Sequence, residues 1–361
     1  MRVLLVNSLD KHYGSTYRAR LLRRALHALG HKCIYVESNC TDDLGLDVFS
    51  VSQRDNFVSY LLASLRRVFL CLRLDYDICF IQKALPVSIL TVIAAKLRGK
   101  RVILDWDDLE VYFQVSRIRR LIIAVSEKII ARMPIEITTH SRFIDEYIKD
   151  IGAKDVSYLP QAIDESFFRD DFDVAKLREK YSTSGFLTFC YLVTFNIGST
   201  YDFDGILEVY KKIESLFDNA LLVIVGDGIL RDRIKDKAAG YGLRNYRFLG
   251  FVEHDAVAGL IAACDFGLIY MRDNNLPNEA RVSLKLLEYC AGGKPVIGRV
   301  VGESKRLLGD YVYDAGYCQR FISNDNISKD IRSAKGKARE VAGADRLGCR
   351  LGELLHKKSY G

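Results

Sequence analysis

The sequence predicts an α/β protein of two doubly wound domains, each a parallel sheet covered by helices, on three observations. Short apolar runs alternate with amphipathic stretches along the whole chain, the pattern of strands joined by helical crossovers. That rhythm stops at the polar, acidic segment Arg169–Asp173 and restarts after the turn residues Ser182–Gly185. The length of 361 residues also exceeds what one core usually holds, since single cores seldom grow beyond roughly 250–300 residues.

In the first half, Val3–Val6, Cys33–Val36, Ile78–Ile81, Val102–Leu104, Ile135–Thr138 and Val156–Tyr158 read as strands. Helical spacing fills Thr16–Leu29, Phe57–Leu72, Val87–Leu97, Ile118–Ala131 and Ile144–Lys149. In the second half, Phe186–Val193, Leu221–Val225, Tyr246–Leu249, Phe266–Ile269 and Val296–Ile297 read as strands. Gly205–Phe217, Leu230–Gly240, Ala256–Cys264, Val282–Cys290 and Ser304–Leu308 read as helices. The predicted organisation is a domain over 1–168, a linker over 169–185, a second domain over 186–330 and a helical segment, 331–361, that packs back across the domains. Doubly wound sheets bind ligands at the carboxyl ends of their strands.

Hydrophobic residues make up 49% and charged residues 27%, the proportions of an ordinary globular chain. Five prolines and no low-complexity tract exclude long disordered linkers. The opening MRVLLVNSLD is apolar too briefly for a signal-peptide core, and no uncharged apolar stretch nears the ~18–20 residues of a membrane span. A cytoplasmic protein is expected. The net charge of +7, without a zinc finger or stacked-aromatic motif, argues against a nucleic-acid partner. Cys33, Cys71, Cys79, Cys190, Cys264 and Cys290 lie in or beside apolar runs with no Cys-x-x-Cys spacing, and read as buried free thiols rather than a metal or redox site.

Two stretches of the second half carry chemistry. In LLVIVGDGILRDRI, a strand runs into Gly226-Asp227-Gly228 and then a helix bearing Arg231. Glycine permits close backbone approach, a helix N-terminus favours an anion, and Arg231 can grip a phosphate bidentately; many such turns are purely structural. In VSLKLLEYCAGGKPVIG, a helix carries Lys285 and Glu288. A carboxylate there can accept hydrogen bonds from two ribose hydroxyls, or it can simply pair with Lys285 at helical spacing.

Together with NYRFLGFV (Asn245–Val252) and ACDFGLIY (Ala263–Tyr270), in the same order and spacing, these stretches resemble the GT-B retaining glycosyltransferases of the large family 4 group. The resemblance implies two Rossmann-like domains. It also implies a nucleoside-diphosphate sugar as donor substrate, a glycan or lipid-linked acceptor, and no cofactor. It assigns the ribose to Glu288, the diphosphate to Arg231, and the base pocket to the backbone of the FLGFV segment, including Gly250 and Val252. The opening VLLVNSLDKHYGSTYRARLLRRALHALGHKCIYV resembles the family's first strand, glycine-containing loop and helix; Gly14 would approach the diphosphate, with His12 beside it. DVSYLPQAID (Asp155–Asp164) resembles the segment before the domain crossing, with Ala162 where glycine is usual.

Asp105-Trp106-Asp107-Asp108 follows the strand Val102–Leu104, where family members often carry an acidic or His-Asp cluster. Three readings stand: hydrogen bonding to acceptor or sugar hydroxyls, paired carboxylates for a hard cation, or a solvated loop. The metal-dependent Asp-x-Asp fold lacks a second Rossmann half, so Asp107 and Asp108 are assigned to hydroxyl positioning and no metal is expected. The sequence departs from the family in two places. Ala280, with Glu279 one step off, stands where many relatives carry Glu, leaving Arg281 and Lys285 as nearby cations. The segment Thr194–Gly205, TFNIGSTYDFDG, has no basic residue where relatives carry Arg and Lys.

That departure keeps open a catalytically weak or silent subunit that binds sugar nucleotide or scaffolds a partner. A nicotinamide oxidoreductase would need a Gly-x-Gly-x-x-Gly turn, which neither VNSLDKHYGS nor VGDGILRD supplies; a GT-B sugar-nucleotide epimerase is a further alternative. Finally, Asn56–Asp75 sets Phe57, Tyr60, Leu61, Leu65, Val68, Phe69 and Leu72 at helical spacing among Arg66, Arg67 and Arg73. It reads equally as a helix lying on an anionic membrane surface or as a core helix with snorkelling arginines. For Ser116–Met133 the core reading is preferred.

Overall fold

A computed structural model describes residues 1–10, 14–45, 47–54, 56–114, 116–195, 197–323 and 327–357. His12 lies outside them. The chain divides into two compact units: Met1–Ala162 with Ala280–Val282 and Ala344–Gly361, and Ile163–Glu279 with Ser283–Gly343.

The first unit is built on β1 (Arg2–Val6), β2 (Lys32–Ser38), β3 (Val48–Val51), β4 (Ile78–Gln82), β5 (Arg101–Asp105), β6 (Glu136–Thr139) and β7 (Val156–Tyr158). They form one parallel sheet in the order β3-β2-β1-β4-β5-β6-β7. A parallel sheet is covered on both faces, so its central strands are apolar throughout; every residue of β4 is buried. Leu4, Val6, Ile81 and Leu104 pack with Ala63, Leu70, Val92 and Ile130 of the helices Phe57–Arg73, Pro86–Leu97 and Arg117–Ala131. Their alternates Val3, Leu5, Tyr35 and Ile103 pack with Leu22, Leu26, Leu351 and Leu355 of the helices Gly14–Ala28 and Ala344–His356.

The second unit is built on β8 (Leu187–Leu192), β9 (Ala220–Val225), β10 (Tyr246–Gly250), β11 (Phe266–Tyr270), β12 (Val296–Arg299) and β13 (Val312–Tyr313). These are parallel in the order β10-β9-β8-β11-β12-β13. Phe189, Tyr191, Leu222, Ile224 and Leu268 form its core with Phe203, Leu207 and Tyr210 of the helix Ile197–Leu216.

Several expectations are corrected. β3 and β13 were not anticipated; both are short edge strands, half-exposed along most of their length, and so lack an apolar run. The segment 169–185 is not a free linker but part of the second unit. Asp173 caps the helix Val174–Lys180 by accepting from the Lys176 amide at 3.1 Å, and Leu177 packs against Gly259. Apart from these corrections, the helical segment 331–361 contributes to both units, with Ile327–Ala342 in the second and Ala344–His356 in the first. Most of Thr194–Gly205 is helix rather than loop, because Phe203, Ile206, Leu207 and Tyr210 give the helix Ile197–Leu216 a buried stripe. Arg67 does not face outward beside Arg66: it is buried, donating to Ser38 Oγ (2.6 Å) and Gln53 Oε1 (2.8 Å), and burial lowers its pKa to about 10.

A buried ion pair closes the carboxyl end of the first sheet. Arg18 donates to both oxygens of Asp105 (Nε 2.7 Å, Nη2 2.9 Å), to the carbonyls of Leu159 and Pro160, and to Gln161 Oε1. Thr138 Oγ1 donates to Asp105 Oδ1 at 2.8 Å. Removing one member of a buried pair strands the other charge, at a cost of about 3–5 kcal/mol. Arg18→Met should therefore lower the free energy of unfolding in urea by that order, with a lower midpoint, while His27→Ala, on the exposed side of the same helix, leaves both within error. Equal midpoints for the two variants would remove the clamp role.

Candidate active site

In the first unit, three acidic side chains from the connection after β5 converge on one lysine. Lys83, just past β4, is buried, with Nζ 2.9 Å from Asp108 Oδ2 and in contact with Glu110 Oε1. Asp107 Oδ1 stands 3.1 Å from the same ammonium as an ion pair without hydrogen-bond geometry. Lys83 has φ 71°, a left-handed conformation that costs a residue with a Cβ about 1–2 kcal/mol. It is held there by its amide donating to Asp105 O (2.9 Å) and by Ser88 Oγ donating to its carbonyl (2.7 Å). Such strain persists only where the surroundings over-determine it.

The charges of this cluster follow from counting. Burial works against the Lys83 ammonium, but Asp107, Asp108 and Glu110 together hold its pKa well above the ordinary lysine value. One cation cannot neutralise three carboxylates. Burial first, then repulsion from its acidic neighbours, outweighs Lys83 and lifts the Asp107 carboxyl to about 7. Asp105 is different: burial alone would raise it, yet Arg18 and Thr138 hold it below the usual carboxylate range. Asp105 is therefore taken up by the clamp, while Asp107 and the part-exposed Asp108 remain with Lys83. His140, beyond β6, is buried and neutral, pushed down to about 4 by burial and by Arg18; its Nδ1 has no hydrogen-bond partner among the described residues. Oxygens of Asp107, Asp108 and Glu110 lie within 4.8 Å of one another, close enough to share a cation. The Lys83 ammonium already stands among those three carboxylates.

Lys83, Glu110, His140 and Arg18 were not singled out from the sequence. Lys83 offered one signal, a lone charge between the apolar runs ICFIQ and ALP; His140 and Arg18 offered none that local spacing reveals.

In the second unit, Gly226 and Gly228 are required by packing between chain segments. A Cβ on Gly226 would stand 1.7 Å from the Val193 carbonyl oxygen, and one on Gly228 2.6 Å from that of Phe195. The turn is laced to its neighbours by Phe195 N donating to Asp227 O (3.0 Å) and Gly226 N to Gly250 O (2.8 Å). Arg231 opens the helix Arg231–Gly240, exposed, 3.4 Å from Asp227 Oδ2. Gly250 ends β10 with φ 75°, and half-buried Val252 follows it. Gly14 is the exposed first residue of the helix Gly14–Ala28.

Glu288 lies buried on the helix Leu284–Ala291, where burial lifts its carboxyl to about 7 against the opposing charge of Lys285. Lys285 Nζ lies 5.1 Å from the centre of the Tyr191 ring. Tyr289 anchors this helix to β8, its hydroxyl donating to Cys190 O and accepting from Leu192 N, both at 2.9 Å. Arg281 lies outside this group: with Ala280 and Val282 it belongs to the first unit. Lys285, Glu288, Arg231, Gly226, Gly250 and Val252 thus share one unit, and Gly14, Asp107, Asp108 and Arg281 the other.

Residues 191–339 match the family described as glycosyl transferases group 1. The chain is 32% identical over 105 residues to the D-rhamnosyltransferase WbpZ of Pseudomonas aeruginosa, a match covering 28% of this chain and 26% of that protein. The chain thus aligns with about a quarter of that relative's length. Among solved structures, HepE of Anabaena in complex with UDP and glucose superposes with a TM-score of 0.76 at 14% identity, covering 99% of this chain and 100% of that one. WaaG, a glycosyltransferase involved in lipopolysaccharide biosynthesis, gives 0.70 at 14% identity over 99% and 100% of the two chains. A glycosyltransferase of Rickettsia africae gives 0.72 at 13% over 99% of each. The C-terminal half therefore resembles the glycosyl transferases group 1 family over residues 191–339, and the chain has the GT-B fold of two parallel-sheet α/β domains.

Proposed function

We propose that the protein is a retaining glycosyltransferase that works without a metal ion or other cofactor. It moves a sugar from a nucleoside-diphosphate sugar to a glycan or lipid-linked acceptor in cell-surface polysaccharide or glycolipid synthesis. The observation that carries this reading is Glu288, a carboxylate buried on a short helix of the matched domain with Lys285 one turn before it. The complexes of HepE with UDP and with UDP-glucose, and the activities named for WaaG and WbpZ, support a nucleotide-sugar donor and an acceptor glycan.

In this reading Glu288 accepts from the two ribose hydroxyls and the backbone at Gly250–Val252 lines the base. Arg231 and Lys285 stabilise the diphosphate as it leaves, with Arg281 as a third cation and Gly14 giving the chain close access. The acceptor oxygen forms its bond to the anomeric carbon on the face from which the diphosphate departs, and its proton passes to a phosphate oxygen. No strong protein base is needed. Asp107 and Asp108, steered by Lys83, orient the reacting hydroxyls. A second reading, a subunit with little or no turnover, draws on the basic-free stretch Thr194–Gly205, whose Asp202 and Asp204 are acidic. Donor turnover by the purified chain separates the two.

Three outcomes are expected. Glu288→Ala should weaken nucleotide-sugar binding by ~1–3 kcal/mol, the range for lost charge-assisted hydrogen bonds. Because the free carboxyl titrates near 7 and only its ionised form accepts twice, affinity should fall about tenfold per pH unit on acidification below that point. Calorimetry showing a pH-independent affinity, or full affinity in a folded Glu288→Ala, removes Glu288 from the ribose. Arg231→Ala and Lys285→Ala should each lower turnover more than donor affinity, since they act as charge develops; near-normal turnover in both would relocate the phosphate site. Activity should survive EDTA yet drop in Asp107→Asn and Asp108→Asn, whereas loss on chelation reversed by manganese or magnesium would make the acidic cluster a metal site.

A further inference from the structure

We propose that the outer face of the helix layer Phe57–Arg73, Pro86–Leu97 and Arg117–Ala131 is a docking surface for an anionic lipid bilayer. The three helices pack side by side against one face of the first sheet. A helix in water ordinarily turns its apolar stripe inward. Here the first helix buries Ala63, Ser64, Arg67, Leu70 and Cys71 but presents Val58, Leu61, Leu62, Leu65, Phe69 and Leu72 outward, Leu62 at 61% exposure. The second presents Leu90, Ile93 and Leu97, the last 80% exposed. The third presents Ile118, Leu121, Ile122, Val125 and Ile129, with Ile118 at 73%. Positions 118, 121/122, 125 and 129 share one helical face. Scattered exposed leucines are ordinary, but a contiguous apolar patch marks an interaction surface.

Charge identifies the occupant. Among the described residues, every exposed charged side chain on these three helices is basic: Arg66 and Arg73, Lys96, and Arg117, Arg119, Arg120 and Lys128. Their single carboxylate, Glu127, is buried and accepts from the Tyr147 hydroxyl at 2.8 Å. A second copy of this chain docking face to face would bring like charges together. An anionic membrane meets the cations with headgroups and the aliphatic side chains with acyl chains, the arrangement of an interfacial helix. No described helix is long and apolar enough to cross a bilayer.

Co-flotation of the full chain tests this without reference to sugar transfer, so its result is independent of the proposed activity. Vesicles of phosphatidylcholine with about one-third phosphatidylglycerol should carry the protein at ~0.1 M salt and less of it at ~1 M, as the Debye length falls from about 10 to 3 Å. Arg117→Glu/Arg119→Glu/Arg120→Glu should weaken binding by more than about a hundredfold, since each basic residue near such a surface contributes on the order of fivefold. Leu62→Ser/Phe69→Ser/Leu121→Ser should also detach the protein; all six positions are exposed, and unchanged thermal unfolding shows that the fold survives. Absence of flotation at low salt, or binding indifferent to both variants, overturns the proposal. So does a wild-type dimer in sedimentation that the serine variant converts to monomer, which would give the face to a second copy.

Discussion

The buried pairing of Arg18 with Asp105 organises the functional end of the first unit. All five N–H groups of the guanidinium are committed: two to the carboxylate at the end of β5, and three to the chain that leaves β7 on its way to residue 162. Asp105 is in turn fixed to β6 through Thr138. One side chain on the first helix thus ties two neighbouring strands and a crossing segment together. A planar fork with fixed donor directions suits this task better than a flexible ammonium would. The clamp gives Asp105 its own cation, although its charge still adds to the repulsion that raises the Asp107 carboxyl.

The remaining acidic residues are handled by a different cation. Lys83 meets them from a left-handed backbone conformation, a cost borne where its amide pins the end of β4 to β5. One ammonium among three carboxylates leaves the most buried of them, Asp107, near neutral pKa. Glu288 in the second unit arrives at a similar value by burial against a single lysine. Each unit thus keeps a carboxyl poised close to physiological pH, by burial in both cases, with repulsion from acidic neighbours added at Asp107.

The glycine-rich turn after β9 has a double demand on it. Its glycines are required whether or not a ligand is bound, because the Val193 and Phe195 carbonyls pass where side chains would stand. The same close packing places the N-terminus of a helix, with Arg231, directly after the turn. Scaffold and ligand chemistry therefore ask for the same residues, and such a motif alone does not distinguish them.

The alternation of apolar runs with amphipathic stretches determined the two parallel sheets, their central strands and nearly all their helices, because period and length are local properties of a chain. Order and spacing of GDG-x-x-R, NYRFLGFV and LKLLEY likewise marked residues that share the second unit. The short edge strands β3 and β13 escaped notice because edge positions demand little hydrophobicity. Tertiary structure alone decided the rest. It alone could show that Arg18 meets a carboxylate 87 positions away and that Lys83 meets Asp108 25 positions on. It showed that Arg67 points inward although Arg66 points out, and that Asp105 and Asp107, two residues apart, take different partners. Which charges are buried together depends on how distant segments pack, and burial, not residue type, sets what each of those charges can do.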